Sequence, residues 1–247
     1  MVKKKRKSIL VVHEGYREKY FLEHIGQFSD FRLNLQPCYG KDADNVLNTA
    51  FKCSDYGQVV FAFFDEDFQF VKELRISEDV LAALEKRWHL TDGKLKDIPY
   101  TDLQNTNINN KNPILIVSSP NSIEGLILML LGVSEKILRG KTTKKMKEML
   151  DAEISAVTLT EDDKKFIDAC DTKIARYINA KQELTGEETN YKQTIKSIEF
   201  KINDINRQKN EIVFKRFLNT KVGREVLLAN INQIPTIKLL LNAFGLC

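Results

Sequence analysis

Cysteine and histidine are scarce in this chain of 247 residues, which has four of the first and three of the second. Cys38, Cys53, Cys170 and Cys247 show no C-x-x-C spacing and no clustering with histidine, which argues against a zinc site and a disulfide framework. Free thiols are expected. Eleven glycines and five prolines are too few for a collagen-like chain. No apolar run approaches the roughly 20 residues of a membrane helix, and Ser8–Val12 is too short for a signal-peptide core, so a cytoplasmic protein without membrane contact is expected. Several catalytic signatures are missing as well. There is no G-x-S-x-G elbow and no glycine-rich dinucleotide fingerprint after the first strand. Gly140-Lys141-Thr142 has the end of a phosphate-binding loop, but Glu135 stands where that motif needs glycine.

What remains is a globular composition, 43% hydrophobic and 29% charged, long enough to bury a sizeable core. Of the net charge of +4, Lys3, Lys4, Lys5, Arg6 and Lys7 account for all, leaving a near-neutral body. That run reads equally as a nucleic-acid tail or a solvated terminus.

Short apolar runs alternate with helical patterns in the first half, as in a parallel sheet flanked by helices. Ile9–Val12 and Val59–Phe64 are continuous apolar runs suited to strands buried on both faces. Phe31, Leu33 and Leu35 alternate with polar residues, predicting a half-exposed strand near an edge, and Ile114–Val117 is a fourth strand. Helices are predicted around Tyr20–Phe28, from a cap at Asp42 or Asp44 to near Gly57, and over 71–90. Residues 91–112 read as a polar, mobile insertion. From Ser122 onward the pattern is helical. Ile195, Ile198, Ile202, Ile205 and Ile212 keep three-four spacing, with Lys209 at one seam position, which fits a helical hairpin or short coiled coil serving the chain's own packing or an oligomer or partner interface. The expected fold is thus an α/β domain over 1–135, a Rossmann-like parallel sheet flanked by helices, followed by a mostly helical C-terminal region over 136–247.

Ligands of parallel sheets gather outside the carboxyl ends of the strands, and acids follow three of these four. Glu14 ends the first strand beside Gly15, and Glu18 lies one helical turn on. Asp65, Glu66 and Asp67 follow the third, with Asp65 and Asp67 on the same side of an extended segment. Glu124 follows the fourth, in the first turn of an apolar helix. Carboxylates gathered at one rim raise one another's pKa, and a divalent cation such as Mg²⁺ or Mn²⁺ relieves the repulsion. Two such ions can stabilise the attacking and leaving oxygens of a phosphodiester. Favourable first-turn acids and a solvated turn are the alternative readings.

Lys136, Arg139, Lys141, Lys144, Lys145 and Lys147 form an acid-free basic stretch that suits a phosphate track, or a solvated helix face. Arg17, beside Glu14, can pair with a phosphate, and Tyr16 can stack on a base. His13, at the end of a buried strand, is expected to pack, as are Trp88 and His89.

Over residues 8–132 the sequence resembles the Toprim domain. Ile9-Leu10-Val11-Val12-His13-Glu14-Gly15-Tyr16-Arg17-Glu18 is similar to the family's first strand with the E-G-x-x-E form of its OLD-type and RloB-like branches. Phe61–Asp67 resembles the D-x-D motif, and Ser119–Leu131 the RloB-like S-N-P segment and following helix, although Ser119-Pro120-Asn121 replaces S-N-P and the helix has no tryptophan. The resemblance implies a Mg²⁺- or Mn²⁺-dependent nuclease acting on DNA or RNA in antiviral defence. It assigns catalysis to Glu14, Asp65 and Asp67, and metal binding to these with Glu18 and Glu124. Two alternatives stand beside it: an effector subunit held inactive by an ATPase partner, and a non-catalytic nucleic-acid-binding module.

Overall fold

The structure is a computed structural model that describes residues 8–29, 31–38, 43–54, 60–65, 113–118, 120–184 and 189–246. Strands β1 (Ser8–His13), β2 (Arg32–Pro37), β3 (Val60–Asp65) and β4 (Ile114–Ser118) make one parallel sheet in the order β2-β1-β3-β4. The fold of this part is α/β, as expected. The inner strands are the apolar runs: Val11 and Val12 in β1 and Phe61 to Phe64 in β3 are buried, because both faces of the sheet are covered. At the edge, β2 exposes Arg32, Asn34 and Gln36 and half-buries Leu33 and Leu35, as its alternation predicts.

Around the sheet lie α1 (Tyr16–Gly26), α2 (Ala43–Ser54) and α3 (Ile123–Leu130), then α4 (Glu135–Arg139) and α5 (Thr143–Ser155). Asp44 falls inside α2 rather than capping it, and Asp42 and the end expected near Gly57 lie outside the described residues. The remaining helices are α6 (Glu161–Glu183), α7 (Thr189–Lys221), α8 (Arg224–Ala229) and α9 (Pro235–Ala243). The helix expected over 71–90 with Trp88 and His89, the polar insertion and the Lys3–Lys7 run lie outside the described residues.

The chain divides into two compact units, one of Met1–Asp151 with Lys221–Cys247 and one of Ala152–Thr220. The division expected at residue 135 therefore differs from the one observed. The sheet unit takes in α4, most of α5 and the last two helices, because their apolar residues complete its core: Leu138, Met146, Leu150, Leu227, Ile237, Leu240 and Phe244 are all fully buried. Buried polar contacts fix the returning segment. A His24 ring nitrogen donates to the Val222 carbonyl at 2.6 Å, and Ser29 Oγ donates to the Phe244 carbonyl at 2.7 Å.

The second unit contains the predicted hairpin, α6 against α7. Its register is antiparallel, with Lys181 reaching Glu199 (2.5 Å), Lys209 reaching Asp171 (2.5 Å) and Arg216 reaching Asp163 (2.9 Å). Ile198 and Ile205 are buried. Lys209 is accommodated in the seam because its ammonium finds an acid on the facing helix. Thr160 and Asp163 close a capping box at the start of α6. No helix among the described residues is long and apolar enough to cross a membrane.

Gly125, in the first turn of α3, has no room for a side chain. A Cβ there would lie 2.1 Å from the Pro120 carbonyl oxygen, a backbone atom that cannot move without shifting the turn from β4 into α3. Asn121 in that turn has a φ of 63°, a left-handed conformation that asparagine tolerates. Gly125→Ala is expected to lower stability by about 1–3 kcal/mol, the usual scale of overpacking, measured by urea unfolding; an unchanged midpoint would contradict the close packing.

Candidate metal centre

The strand order reverses direction between β1 and β3, because β1 connects outward to β2 whereas the next strand, β3, lies on its other side. Such a switch point opens a crevice at the carboxyl ends of the two strands. Glu14 immediately follows β1, and Asp65 is the last residue of β3. The first turns of α1 bring Glu18 to the same place, so that one carboxylate oxygen from each of Glu14, Glu18 and Asp65 lies within 4.8 Å of the others. These three acids can hold a metal ion.

The glycine after Glu14 has a steric reason. A Cβ on Gly15 would meet Glu18 Oε2 at 2.8 Å, so a larger residue there would push the Glu18 carboxylate from its place beside the other acids. Gly15 also begins α1 in an extended conformation, and its carbonyl accepts from Lys19 N at 3.3 Å.

Asp65 is anchored from the neighbouring strand and the following helix. Ser118, its register partner across β3 and β4, donates its hydroxyl to Asp65 Oδ1 at 2.5 Å, and the Ile123 amide donates to the same oxygen at 2.9 Å. Ser118 is fully buried. The Ile123 amide is one of the N–H groups that the first turn of α3 leaves without a helical partner.

The electrostatics are those of crowded, desolvated acids. Burial pushes the Glu18 carboxyl up to about 7, with the Glu124 charge adding to the rise against its own backbone and that of Gly15. Asp65 is half-buried, yet enough protein surrounds its carboxyl that burial is again the main cause of a value well above the usual range. The charges of Glu18, Glu14 and Glu124 raise it further, and the Ser118 hydroxyl opposes them. Without a cation this cluster favours holding protons at neutral pH.

Glu124 stands beside the trio and outside it. Its Oε1 accepts from Arg17 at 2.8 Å, and the other arm of the Arg17 guanidinium pairs with Asp151. Arg17, expected to meet phosphate, is thus committed to tying α1, α3 and α5 together. The sequence does not show this pairing, because the acids that meet Arg17 come from two distant helices. Glu124, expected as a metal ligand, is engaged by that arginine while still raising its neighbours' pKa values. Asp67 lies outside the described residues, so its place in the D-x-D pair is not described either.

Lys136, Arg139, Lys141, Lys144, Lys145 and Lys147 are all exposed, on α4, the turn after it and α5. Arg139 pairs with Glu135 (2.7 Å) and Lys145 with Glu148 (3.0 Å). Asn121 Nδ2, in the turn leading to Glu124, donates to the Lys141 carbonyl at 3.3 Å, which ties the basic stretch to the loop beside the acids. His13 is fully buried, and neither ring nitrogen has a partner at hydrogen-bond geometry; burial pushes it down to about 4, while the Gly15 backbone favours its charged form without meeting that geometry. Cys38, Cys53 and Cys170 are free thiols, as expected.

Sequence reasoning missed Ser118 and Asp151. Ser118 is the last residue of an apolar run, an ordinary place for a serine, and only the register sets it against Asp65. No protein-family model, curated protein or solved structure matches the chain.

Proposed function

We propose that this protein is a Mg²⁺- or Mn²⁺-dependent nuclease of the Toprim type that hydrolyses phosphodiester bonds of DNA or RNA in the cytoplasm, in antiviral defence. The observation that carries the reading is the convergence of Glu14, Glu18 and Asp65 at the switch point between β1 and β3. The residues fit a small hard cation. Oxygens bonded at about 2.1 Å lie up to roughly 4.2 Å apart across an octahedron, so a group spanning no more than 4.8 Å needs little closure to share one ion. The raised pKa values of Glu18 and Asp65 come first from burial and then from the neighbouring acids, and a cation bound there would favour their ionised forms.

Glu14, Glu18 and Asp65 would hold the ion, with Asp67 and Glu124 as further ligands; Arg17 engages Glu124 Oε1, so Oε2 would be the oxygen that Glu124 offers. The bound cation supplies Lewis-acid stabilisation of charge on the phosphate. The half-buried Glu14, at the rim, is placed to take or give a proton at the reacting oxygen. The exposed basic residues of α4 and α5 would bind the polymer's flanking phosphates, and binding should then weaken steeply with salt. Arg17 takes no part in this track while it holds Glu124 and Asp151.

The test incubates purified protein with plasmid, single-stranded DNA, total RNA and tRNA, with and without Mn²⁺, beside Glu14→Gln. Mn²⁺-dependent cleavage lost in the variant supports the reading; no cleavage and no Mn²⁺ binding overturns it in favour of a non-catalytic nucleic-acid-binding module. A second reading, a nuclease silenced by an ATPase partner or by assembly with its own copies, draws on the exposed Phe166, Ile178 and Phe200 of the hairpin, the last 73% exposed. A partner copurifying through residues 160–220 favours it, and robust activity of the isolated chain argues against it.

A further inference from the structure

Asp65 uses one of its two carboxylate oxygens entirely within the protein. Oδ1 accepts the Ser118 hydroxyl at 2.5 Å and the Ile123 amide at 2.9 Å. Two donors occupy the two lone-pair directions of a carboxylate oxygen. The oxygen left for a ligand is Oδ2.

The two donors come from different elements, the end of β4 and the start of α3, and each is held by backbone structure as well as by its bond to Asp65. Ser118 is held in register by the β3–β4 ladder and is fully buried, so its hydroxyl has few places to turn; its other neighbour is the Phe64 carbonyl at 3.3 Å. Ile123 is held by the helix it begins, which Ser122 caps and which the close contact of Gly125 with Pro120 locks against the incoming turn. A carboxylate gripped at one oxygen by two donors resists turning about its terminal torsion, which holds the direction of its second oxygen.

We infer that Ser118, together with the Ile123 amide, is the positioning device that presents Asp65 Oδ2 to the cation. This rests on the metal-site reading above and adds to it a residue that the acidic motifs do not contain. Ser118 has no contact with the ion or the substrate in this scheme; it acts through Asp65. Partners that orient a metal ligand typically contribute about 10- to 100-fold to metal affinity. The Ile123 amide cannot be removed by a side-chain change, which makes Ser118 the testable half of the pair.

The experiment titrates the full chain with Mn²⁺, following the loss of the free-ion signal by electron paramagnetic resonance, for wild type, Ser118→Ala, Ser118→Cys and Ser118→Thr. Circular dichroism and urea unfolding accompany each titration. Ser118→Ala should weaken Mn²⁺ binding by about 10- to 100-fold. Ser118→Cys fills the same space with a weak donor and should fall between the two, which keeps the test decisive should Ser118→Ala fail to fold. Ser118→Thr restores the hydroxyl and should recover most of the affinity, an outcome that a purely space-filling role would not give. Wild-type affinity in Ser118→Ala and Ser118→Cys, in a protein whose wild type does bind Mn²⁺, would overturn the inference and leave the metal site standing. Absence of Mn²⁺ binding by wild type would overturn both.

Discussion

Asp65→Asn should abolish metal-dependent cleavage, by at least about 10³-fold, while making the metal-free protein more stable. The two effects have one cause. A neutral amide cannot offer the cation a charged oxygen, and losing several kcal/mol of charge stabilisation in the transition state costs at least three decades of rate. The same substitution removes a carboxyl that lies among Glu14, Glu18 and Glu124 and whose pKa is held well above the usual range, so that folding at neutral pH costs either a crowded charge or the uptake of a proton. The asparagine oxygen can still accept from Ser118 and Ile123, and its amide can donate towards the neighbouring acids. A gain of about 0.5–2 kcal/mol is expected at neutral pH, on the scale of other function-for-stability exchanges. Cleavage assays and urea unfolding on the same preparation check both. Glu14→Gln should lose cleavage to the same degree from the other strand. Full activity in both purified variants would refute the assignment of the site.

Metal binding should be strongly pH-dependent, and the thermal stability of the protein should show where its protons go. Glu18 has a folded pKa of about 7, above its unfolded value, so its contribution to stability is complete below about pH 4.5 and is lost as pH rises through 7. Asp65 acts in the same sense. His13 has the opposite sign: its folded pKa is pushed down to about 4, so its contribution is complete above about pH 6.5 and is lost as pH falls towards 4. Between about pH 4.5 and 6.5 the two kinds of group offset each other, and above that only the carboxylates act. Without metal, the Tm should therefore decline from about pH 6.5 to 8. A divalent ion needs the deprotonated acids, so Mn²⁺ affinity should rise by about tenfold per pH unit for each proton displaced as pH approaches 7. Added Mn²⁺ should then raise the Tm near pH 8 and leave it almost unchanged near pH 5. Thermal scans across pH with and without Mn²⁺, and calorimetry in buffers of different ionisation enthalpy, measure the shift and the protons released. An affinity flat from about pH 6 to 8 would contradict the displacement of a proton from Glu18 when the ion binds.

Much of the site is legible in the chain because its parts are local. Glu14 and Glu18 are one helical turn apart, and Gly15 between them already marks a tight exit from the first strand. Asp65 ends the most apolar run of the first half, where a buried parallel strand is hard to mistake. The hairpin is legible for a similar reason, since a three-four isoleucine spacing declares a buried seam and Lys209 declares its own interruption. What escaped was contact between segments far apart in sequence. Arg17 and Glu124 are 107 residues apart and Arg17 and Asp151 are 134 apart, and no local pattern couples them. The same is true of the domain division: α8 and α9 carry ordinary apolar residues that only a docking partner distinguishes from a peripheral hairpin, and they return to the sheet unit.

The alternation of strands and helices, the half-exposed character of β2 and the placing of acids at strand ends can be read along the chain, because each depends on hydrophobic periodicity and on neighbours within a turn or two. Tertiary structure alone decided the order β2-β1-β3-β4, which puts β1 beside β3 and so brings Glu14 and Glu18 within reach of Asp65. It also decided that Ser118 would grip Asp65 and that Arg17 would hold Glu124. Pairing of strands and register are set by how whole faces pack, a property of the assembled core that no single segment carries.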